Sequence, residues 1–339
     1  MDLKHLLKRG ALVAAANWPV IAIQFVAETT FQVLLAVPLV GAAILVAILL
    51  GADLADVLQG GLRGMFRTIA SALMSEPVAL VSFITAFCLV LFGGSCLMFV
   101  VKGGTVDVLQ AADADAGPIE REPLTLETLR SASTFSLQRF TAGCARLYRP
   151  YLRLGIGLMT IYGLSLAAYV AFLVFGYRSA DERGRLVDWA FIAGPAILLV
   201  AWITVVNFLY LLTQLAVAVD RVGVAEGLRR VAEFIRAQFR TVASIFLIVA
   251  GLVLAATLVS ALAWSGVGLI AFVPLVGLAV FPLQVLALVV RGLVFQYLGL
   301  TALGAYLTLY SAHRSKRDAI IALSSEMGPR PAASRALPS

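Results

Sequence analysis

The sequence predicts an all-α, polytopic transmembrane helical bundle. Three observations lead to that prediction: the composition, the long apolar runs and the positions of the basic residues. Of the 339 residues, 61% are hydrophobic and 13% are charged, and the mean hydropathy is +0.97. A soluble domain carries about 25% charged residues, because it must cover its core with polar side chains. The composition therefore indicates an integral membrane protein.

Six apolar runs are long enough to cross a bilayer, whose hydrocarbon core of about 30 Å needs roughly 20 helical residues. They are Phe31–Leu50, Val78–Val101, Leu154–Phe175, Phe191–Val219, Val242–Trp264 and Gln284–Tyr310. Two further runs leave the number of spans open. Residues 11–27, interrupted by Asn17 and Pro19, are a candidate additional span. Residues 268–283 contain two prolines and are predicted to form a re-entrant or interfacial hairpin of irregular backbone covered by protein.

The basic residues predict the orientation of the chain. With six spans and the N-terminus inside, 19 of the 26 Lys and Arg residues lie in cytoplasmic segments and five lie in outer loops. A seventh span at residues 268–283 would leave 14 inside and 10 outside. Because cytoplasmic loops are enriched in Lys and Arg, both termini are predicted to be cytoplasmic. The domains follow as a transmembrane domain over residues 1–318 and a disordered cytoplasmic tail over residues 319–339.

Four segments that precede spans carry apolar and basic residues on separate helical faces: residues 3–9, 63–73, 125–151 and 224–240. Such helices lie flat at the interface, with the apolar face among acyl chains and arginines at anionic headgroups. The other interpretation is that they only set the entry angle of the next span. The candidate headgroup contacts are Arg139, Arg146, Arg149, Arg229, Arg236 and Arg240.

Polar side chains also lie within the apolar runs, where a charge at the bilayer centre costs about 2.5–3.5 kcal/mol and normally faces a partner or a wet cavity. Glu28 is the expected counter-ion of Arg291. These polar residues either hold the helices together by hydrogen bonds or line a pathway or ligand site. The candidate intramembrane polar site comprises Gln24, Glu28, Asn207, Gln214, Gln284 and Arg291.

The residues that enzymes and metal sites need are sparse. The two histidines, His5 and His313, lie near the chain ends, the three cysteines form no C-x-x-C pair, and Gly-Lys, which a Walker A loop requires, does not occur. Asp113 and Asp115 fall in an acidic stretch, Lys102 to about Leu124, that is predicted to be a solvated loop. We therefore expect no catalytic residue, no metal site and no cofactor.

The last 120 residues or so resemble bacterial six-helix membrane proteins of unknown function, which are related to the membrane domain of some glycerophosphodiester phosphodiesterases. The resemblance lies in DRVGVAEGLRRVAEFIRAQFRTVASIFLIVAGLVLAATLV, over Asp220–Val259, and in AYLTLYSAHR near the end of the sixth span. Gly227 stands where the family pattern has alanine. The resemblance implies a helical bundle in the bacterial plasma (inner) membrane and no catalytic motif.

These observations predict a non-enzymatic membrane component that binds lipids, with anionic headgroups as the expected ligands, or a protein partner, including a second copy of the chain. The positive net charge of +7 is accounted for by the cytoplasmic loops, so no nucleic-acid partner is expected. The alternative is a transporter of a small solute or a lipid that uses the intramembrane polar residues.

Overall fold

The computed structural model describes residues 2–50, 74–123, 125–177, 184–271 and 274–326. These residues are almost entirely helical and include no strand. The helices are α1 (Leu3–Ala16), α2 (Trp18–Leu50), α3 (Pro77–Asp115), α4 (Leu126–Ser131), α5 (Leu137–Tyr177), α6 (Gly184–Asp220), α7 (Val224–Ala271) and α8 (Pro274–Glu326).

Six of these helices are long and apolar enough to cross a membrane. Their candidate spans are Trp18–Ala42, Pro77–Asp115, Leu137–Leu173, Ala193–Asp220, Val224–Ala263 and Pro282–Leu323. The predicted all-α polytopic bundle is confirmed, and the chain is an integral membrane protein. Since the six spans alternate in direction, the starts of α2, α5 and α7 lie at the same end of the bundle as the ends of α3, α6 and α8.

Residues 11–27 do not form a span of their own, because the chain divides there into two helices. Asn17 ends α1, its backbone N–H and side-chain Nδ2 both donating to the carbonyl of Val13. Pro19 then lies in the first turn of α2, where a missing N–H costs nothing. Asn17 and Pro19, which interrupt the apolar run, therefore mark the boundary between α1 and α2.

The predicted loop from Lys102 to Leu124 is wrong over most of its length, because α3 continues to Asp115. Val106, Leu109 and Ala112 recur at helical spacing and are buried against neighbouring helices. The turn comes later, at Gly117, whose φ of 58° is a left-handed conformation that glycine adopts freely.

The predicted hairpin at residues 268–283 is helical wherever the structure describes it. It comprises the end of α7 and the start of α8, which begins at Pro274 and continues through Pro282; residues 272 and 273 lie outside the described residues. The predicted tail at residues 319–339 begins too early, since α8 continues to Glu326. Residues 327–339 also lie outside the described residues.

Buried side chains concentrate at one end of the bundle, which we call the base. It is built from α1, α4, residues 18–28, 99–120, 137–155, 206–220, 224–245 and 296–317. Its largest buried side chains include Tyr151, Phe234, Tyr306 and Tyr310. The other end, which we call the apolar half, comprises residues 31–42, 78–97, 156–173, 197–205, 247–263 and 283–294, whose side chains are largely exposed leucine, valine, isoleucine and phenylalanine.

The sequence predicted that residues 3–9 lie flat at a membrane interface. In the structure, helix α1 lies inside the base instead. Gly10 packs against α8 so closely that an added Cβ would lie 2.7 Å from the backbone nitrogen of Ala305. An added Cβ on Gly304 would lie 3.0 Å from the Cα of Gly10. Leu6 and Val13 are buried on the same helix. Its apolar stripe is therefore covered by protein.

The other described amphipathic segments are also parts of the bundle. Residues 137–151 and 224–240 continue without a chain break into the spans of α5 and α7, although α7 is kinked at Gln238. Leu147 and Val231 of their apolar stripes are buried in the base, whereas Leu137, Leu228 and Phe239 of the same stripes are exposed. The prediction that these stripes lie among acyl chains is therefore wrong for their buried members; residues 63–73 lie outside the described residues.

Candidate functional site

The six residues of the predicted intramembrane site fall in three separate places. Gln24 on α2 is buried and donates from Nε2 to the hydroxyl of Thr105 on α3, at 2.9 Å. Glu28, one turn further along α2, accepts from the side-chain amides of Gln32 and of Gln296 on α8. These hydrogen bonds join α2 to α3 and to α8 just where the base meets the apolar half.

The expected ion pair between Glu28 and Arg291 does not form, because the two residues face different neighbours. Gly292 and Gln296 lie on the face of α8 that packs on α2, where Phe25 contacts Gly292. Arg291 lies about 100° around the helix from Gly292. Its guanidinium stands over the ring of Phe295, 5.7 Å from the ring centroid, and has no acidic partner among the described residues.

Arg291 and Gln284 instead line a groove between α7 and α8 in the apolar half. The groove has a volume of about 420 Å³, and its wall is otherwise almost entirely apolar. The seven-residue spacing of Gln284 and Arg291 places both on one face of α8, as the sequence predicted. That face is directed to α7, not to the other four residues of the predicted site.

Asn207 and Gln214 on α6 belong to a third place, the packing of α6 on α5. The hydroxyl of Tyr162 donates to the side-chain oxygen of Asn207. Gln214 is buried, and its backbone carbonyl accepts from the hydroxyl of Tyr151 at 2.9 Å. These contacts are hydrogen bonds that tie α5 to α6, and they do not continue into the groove that contains Arg291.

Lys102, which was predicted to lie in a loop, is a charged residue inside the helical bundle. It lies within α3, and its ammonium stands over the ring of Tyr210 on α6, 5.3 Å from the ring centroid. The negative charge of Glu28 acts on the same lysine. Helical spacing of apolar residues beyond Lys102 was the signal that α3 continues and takes this lysine into the bundle.

A buried ionic network fixes α1 in the base. Arg9 Nε lies 2.6 Å from Asp113 Oδ1 at the end of α3, and its Nη1 lies 2.8 Å from Glu120 Oε2 in the following turn. Thr308 on α8 donates to the same oxygen of Asp113 at 2.8 Å. Arg9 thus connects α1 to the end of α3 and to the turn that follows it, and Asp113 connects this network to α8.

The network shifts the pKa values of its members outside the membrane-spanning helices. Burial opposes the charge of Arg9, but hydrogen bonds to Asp113 and Glu120, and their charges, outweigh it and raise the pKa of Arg9. Burial also acts to raise the pKa of Glu120, but hydrogen bonds from its backbone and Arg9, with the charges of Arg9 and Arg121, lower it below its ordinary value. Both groups are therefore held in their charged forms.

A second network surrounds Asp220, the last residue of α6, whose side chain is fully buried. Arg230 lies 2.8 Å from Oδ2, which also accepts from the hydroxyl of Tyr310 at 2.6 Å. Arg314 and Arg317 on α8 lie 3.3 and 3.7 Å from Oδ1. The cleft of about 330 Å³ beside it is lined by Arg229 and these three arginines and by Glu226, Glu233 and Asp318, so that with Asp220 each arginine has a carboxylate to match it. The network joins α6, α7 and α8.

The predicted headgroup contacts divide into two groups. Arg139, Arg146 and Arg229 are engaged within the protein: Arg139 donates to the carbonyl of Thr134, Arg146 pairs with Asp107, and Arg229 pairs with Glu226. These three arginines were expected to bind lipid headgroups. In the structure a carbonyl oxygen accepts a hydrogen bond from Arg139, and a carboxylate pairs with each of the other two. The remaining three, Arg149, Arg236 and Arg240, are exposed and have no ion-pair partner among the described residues.

Arg153, outside the predicted set, completes a pattern with these three. Arg149 and Arg153 lie four residues apart on α5, and Arg236 and Arg240 lie four residues apart on α7, so each pair occupies one helical face. All four are exposed, and each pair lies where its helix leaves the base and becomes apolar. We call these four residues the arginine rim.

Groups of three or more His, Cys, Asp or Glu side chains that could hold a metal ion do not occur in the described ranges. Comparisons of the chain with models of protein families, with curated proteins and with solved structures find no match. The resemblance of the last 120 residues to bacterial six-helix membrane proteins therefore stays a prediction.

Proposed function

We propose that the protein is a non-enzymatic component of the bacterial inner membrane that binds anionic lipid headgroups through the arginine rim. In this proposal the base faces the cytoplasm, as the distribution of basic residues favours. The observation that carries the proposal is the pairing pattern of the arginines. Most arginines of the base have a carboxylate or carbonyl partner, whereas the four rim residues are exposed at the boundary of the apolar spans and have no ion-pair partner within the described part of the chain.

The position of the rim suits a lipid headgroup. An arginine at the end of a span keeps its aliphatic stem on apolar surface and extends its guanidinium to the interface. There the anionic leaflet attracts each basic residue by about 1 kcal/mol. Exposed Tyr148 and Phe239, each adjacent in sequence to a rim arginine, add aromatic surface of the kind found at membrane interfaces. Two arginines on one helical face can share one phosphate.

The test is a binding titration of the full-length protein, purified in a neutral detergent, with a fluorescent phosphatidylglycerol. Removing one rim pair, as R236Q/R240Q or R149Q/R153Q, removes about 2 kcal/mol at the site which that pair forms, and we expect the Kd of that site to rise roughly 30-fold while the other pair still binds. The matched control is R139Q/R146Q, which removes two arginines of α5 that are already engaged by Thr134 and Asp107.

The control should change Kd less than threefold. Fluorescent phosphatidylcholine should bind the wild-type protein no better than it binds the rim variants. The proposal fails if both rim pairs leave phosphatidylglycerol binding unchanged, or if the control weakens binding as much as the rim variants do.

A further inference from the structure

The groove between α7 and α8 lies in the apolar half, away from the arginine rim. Its volume of about 420 Å³ falls within the range of about 300–1,000 Å³ that small-molecule sites occupy. Val259 and Ala263 of α7 and Leu286 and Val290 of α8 are among its apolar wall residues. The groove therefore suits a hydrocarbon chain over most of its surface.

Arg291 is the one cation in this wall and lacks a counter-ion among the described residues. It lies nine residues after Pro282, about 14 Å along the helix, within the candidate span Pro282–Leu323, and a charge within a span normally faces a partner or a wet cavity. Glu28 cannot neutralise it, because that carboxylate accepts from Gln32 of α2 and from Gln296 on another face of α8. The groove therefore combines an apolar wall with one arginine, Arg291, whose charge no described acidic residue neutralises.

Among the described wall residues, the remaining polar side chains are Ser260 and Gln284, and both are neutral. A single cation in an apolar groove matches a ligand with one anionic group and one hydrocarbon chain. The guanidinium fork fits a carboxylate through two parallel hydrogen bonds. A diacyl phospholipid fits less well, because it brings a second chain, ester groups and a larger headgroup, for which the described wall residues offer no further charge.

We propose that the groove between α7 and α8 binds a long-chain fatty acid, with its carboxylate on Arg291 and its hydrocarbon chain against Val259, Ala263 and Val290. This site goes beyond the proposed function, because none of the four rim residues contributes to it. Binding neutralises Arg291 within the bilayer and fills the space between the two helices.

The test uses the full-length protein in phosphatidylcholine nanodiscs and a palmitate analogue that carries a photoreactive diazirine. After illumination and digestion, we expect the label on peptides of α7 and α8 that line the groove. Excess palmitate should remove the label, whereas hexadecanol, which has the same chain without a charge, should compete at least tenfold more weakly.

Two variants examine the two halves of the proposal. R291Q removes the charge and should lower labelling at least tenfold, and A263W should do the same by filling the groove while leaving Arg291 in place. The matched control R236Q/R240Q should label as the wild type does, so that this site and the arginine rim can fail independently.

Three results would overturn the proposal. Labelling of R291Q at the wild-type level would show that the charge is not used. Equal competition by hexadecanol would show a merely apolar groove. A wild-type dimer that R291Q converts to a monomer would show that a second copy, not a fatty acid, supplies the counter-ion.

Discussion

The base and the apolar half are built from the same six long helices, yet different partners cover their surfaces. In the base, aromatic side chains such as Tyr151 and Tyr306 are buried, and their hydroxyls donate to backbone carbonyls of neighbouring helices. In the apolar half, leucines such as Leu164 and Leu262 are about 70% exposed. The base is a protein core, whereas the apolar half has hydrocarbon as its solvent.

The glycines show the same contrast at the level of the backbone. Gly10 and Gly304 of the base lie where helices touch each other's main chains. Gly157, Gly163 and Gly251 of the apolar half have no described atom within 4 Å of an added Cβ, whereas Gly94 and Gly292 of the same half face only side-chain rings. Stability should therefore fall on substitution where two main chains touch and be nearly independent of substitution at the open positions of the apolar half.

The largest effect is expected at Asp220. The variant D220N leaves the guanidinium groups of Arg230, Arg314 and Arg317 without their shared carboxylate, and loss of one partner of a buried ion pair costs about 3–5 kcal/mol. Because these arginines are partly exposed and keep Glu226 or Asp318 as a partner, we expect the lower end, about 3 kcal/mol. The free energy of unfolding, measured by denaturant titration in detergent micelles, should fall by that amount. E233Q removes an exposed acid that lies 3.9 Å from Arg229, and should change it by less than about 1 kcal/mol.

A smaller effect is expected at the crossing of α1 and α8. G10A places a Cβ against the backbone of Thr301 and Ala305, which cannot give way as a side chain can, and overpacking of this kind costs about 1–3 kcal/mol. The matched variant G163A has open space and should gain about 0.5–1 kcal/mol from helix propensity. Opposite signs in the same unfolding measurement support the contrast, and equal signs contradict it.

The smallest effect concerns the pH dependence of the base. Because the folded protein holds the pKa of Glu120 below its ordinary value of 4.5, its contribution to stability is present above pH 4.5 and is lost as the pH falls through the lowered pKa. A hydrogen bond to a charged group contributes about 1.5–3 kcal/mol, and because Asp113 keeps Arg9 paired we expect the lower limit, about 1.5 kcal/mol. The variant E120Q should lose stability at neutral pH and show a smaller further loss on acidification than the wild type. Parallel curves for the two proteins would exclude this role of Glu120.

The sequence predicted the apolar half better than the base. Runs of apolar residues report directly on hydrocarbon, so the number of spans could be read from them. Periodicity at Leu147 or Val231 shows that one helical face is apolar, but protein and lipid cover such a face equally well. The interior position of α1 also depends on Gly10, which allows close contact with α8 because Gly304 lies opposite it. The sequence does not show that these two glycines face each other.

The polar residues show a related limit. Spacing correctly placed Gln284 and Arg291 on one face of α8, because that relation lies within a single helix. It could not say which helix lies opposite that face, and the expected pairing of Glu28 with Arg291 was wrong for this reason. Lys102 was missed because a charge ends an apolar run in sequence, although in the structure Tyr210 and Glu28 compensate it.

The most direct test of the account is the accessibility of single cysteines to a membrane-impermeant maleimide. In a variant with Cys88, Cys96 and Cys144 replaced by serine, G223C reports on the exposed turn between α6 and α7, and L164C reports on the apolar half. We expect G223C to react in inside-out vesicles and not in intact cells, and L164C to react in neither. Reaction of L164C in either preparation, or of G223C in intact cells, would contradict a base in the cytoplasm and an apolar half in hydrocarbon.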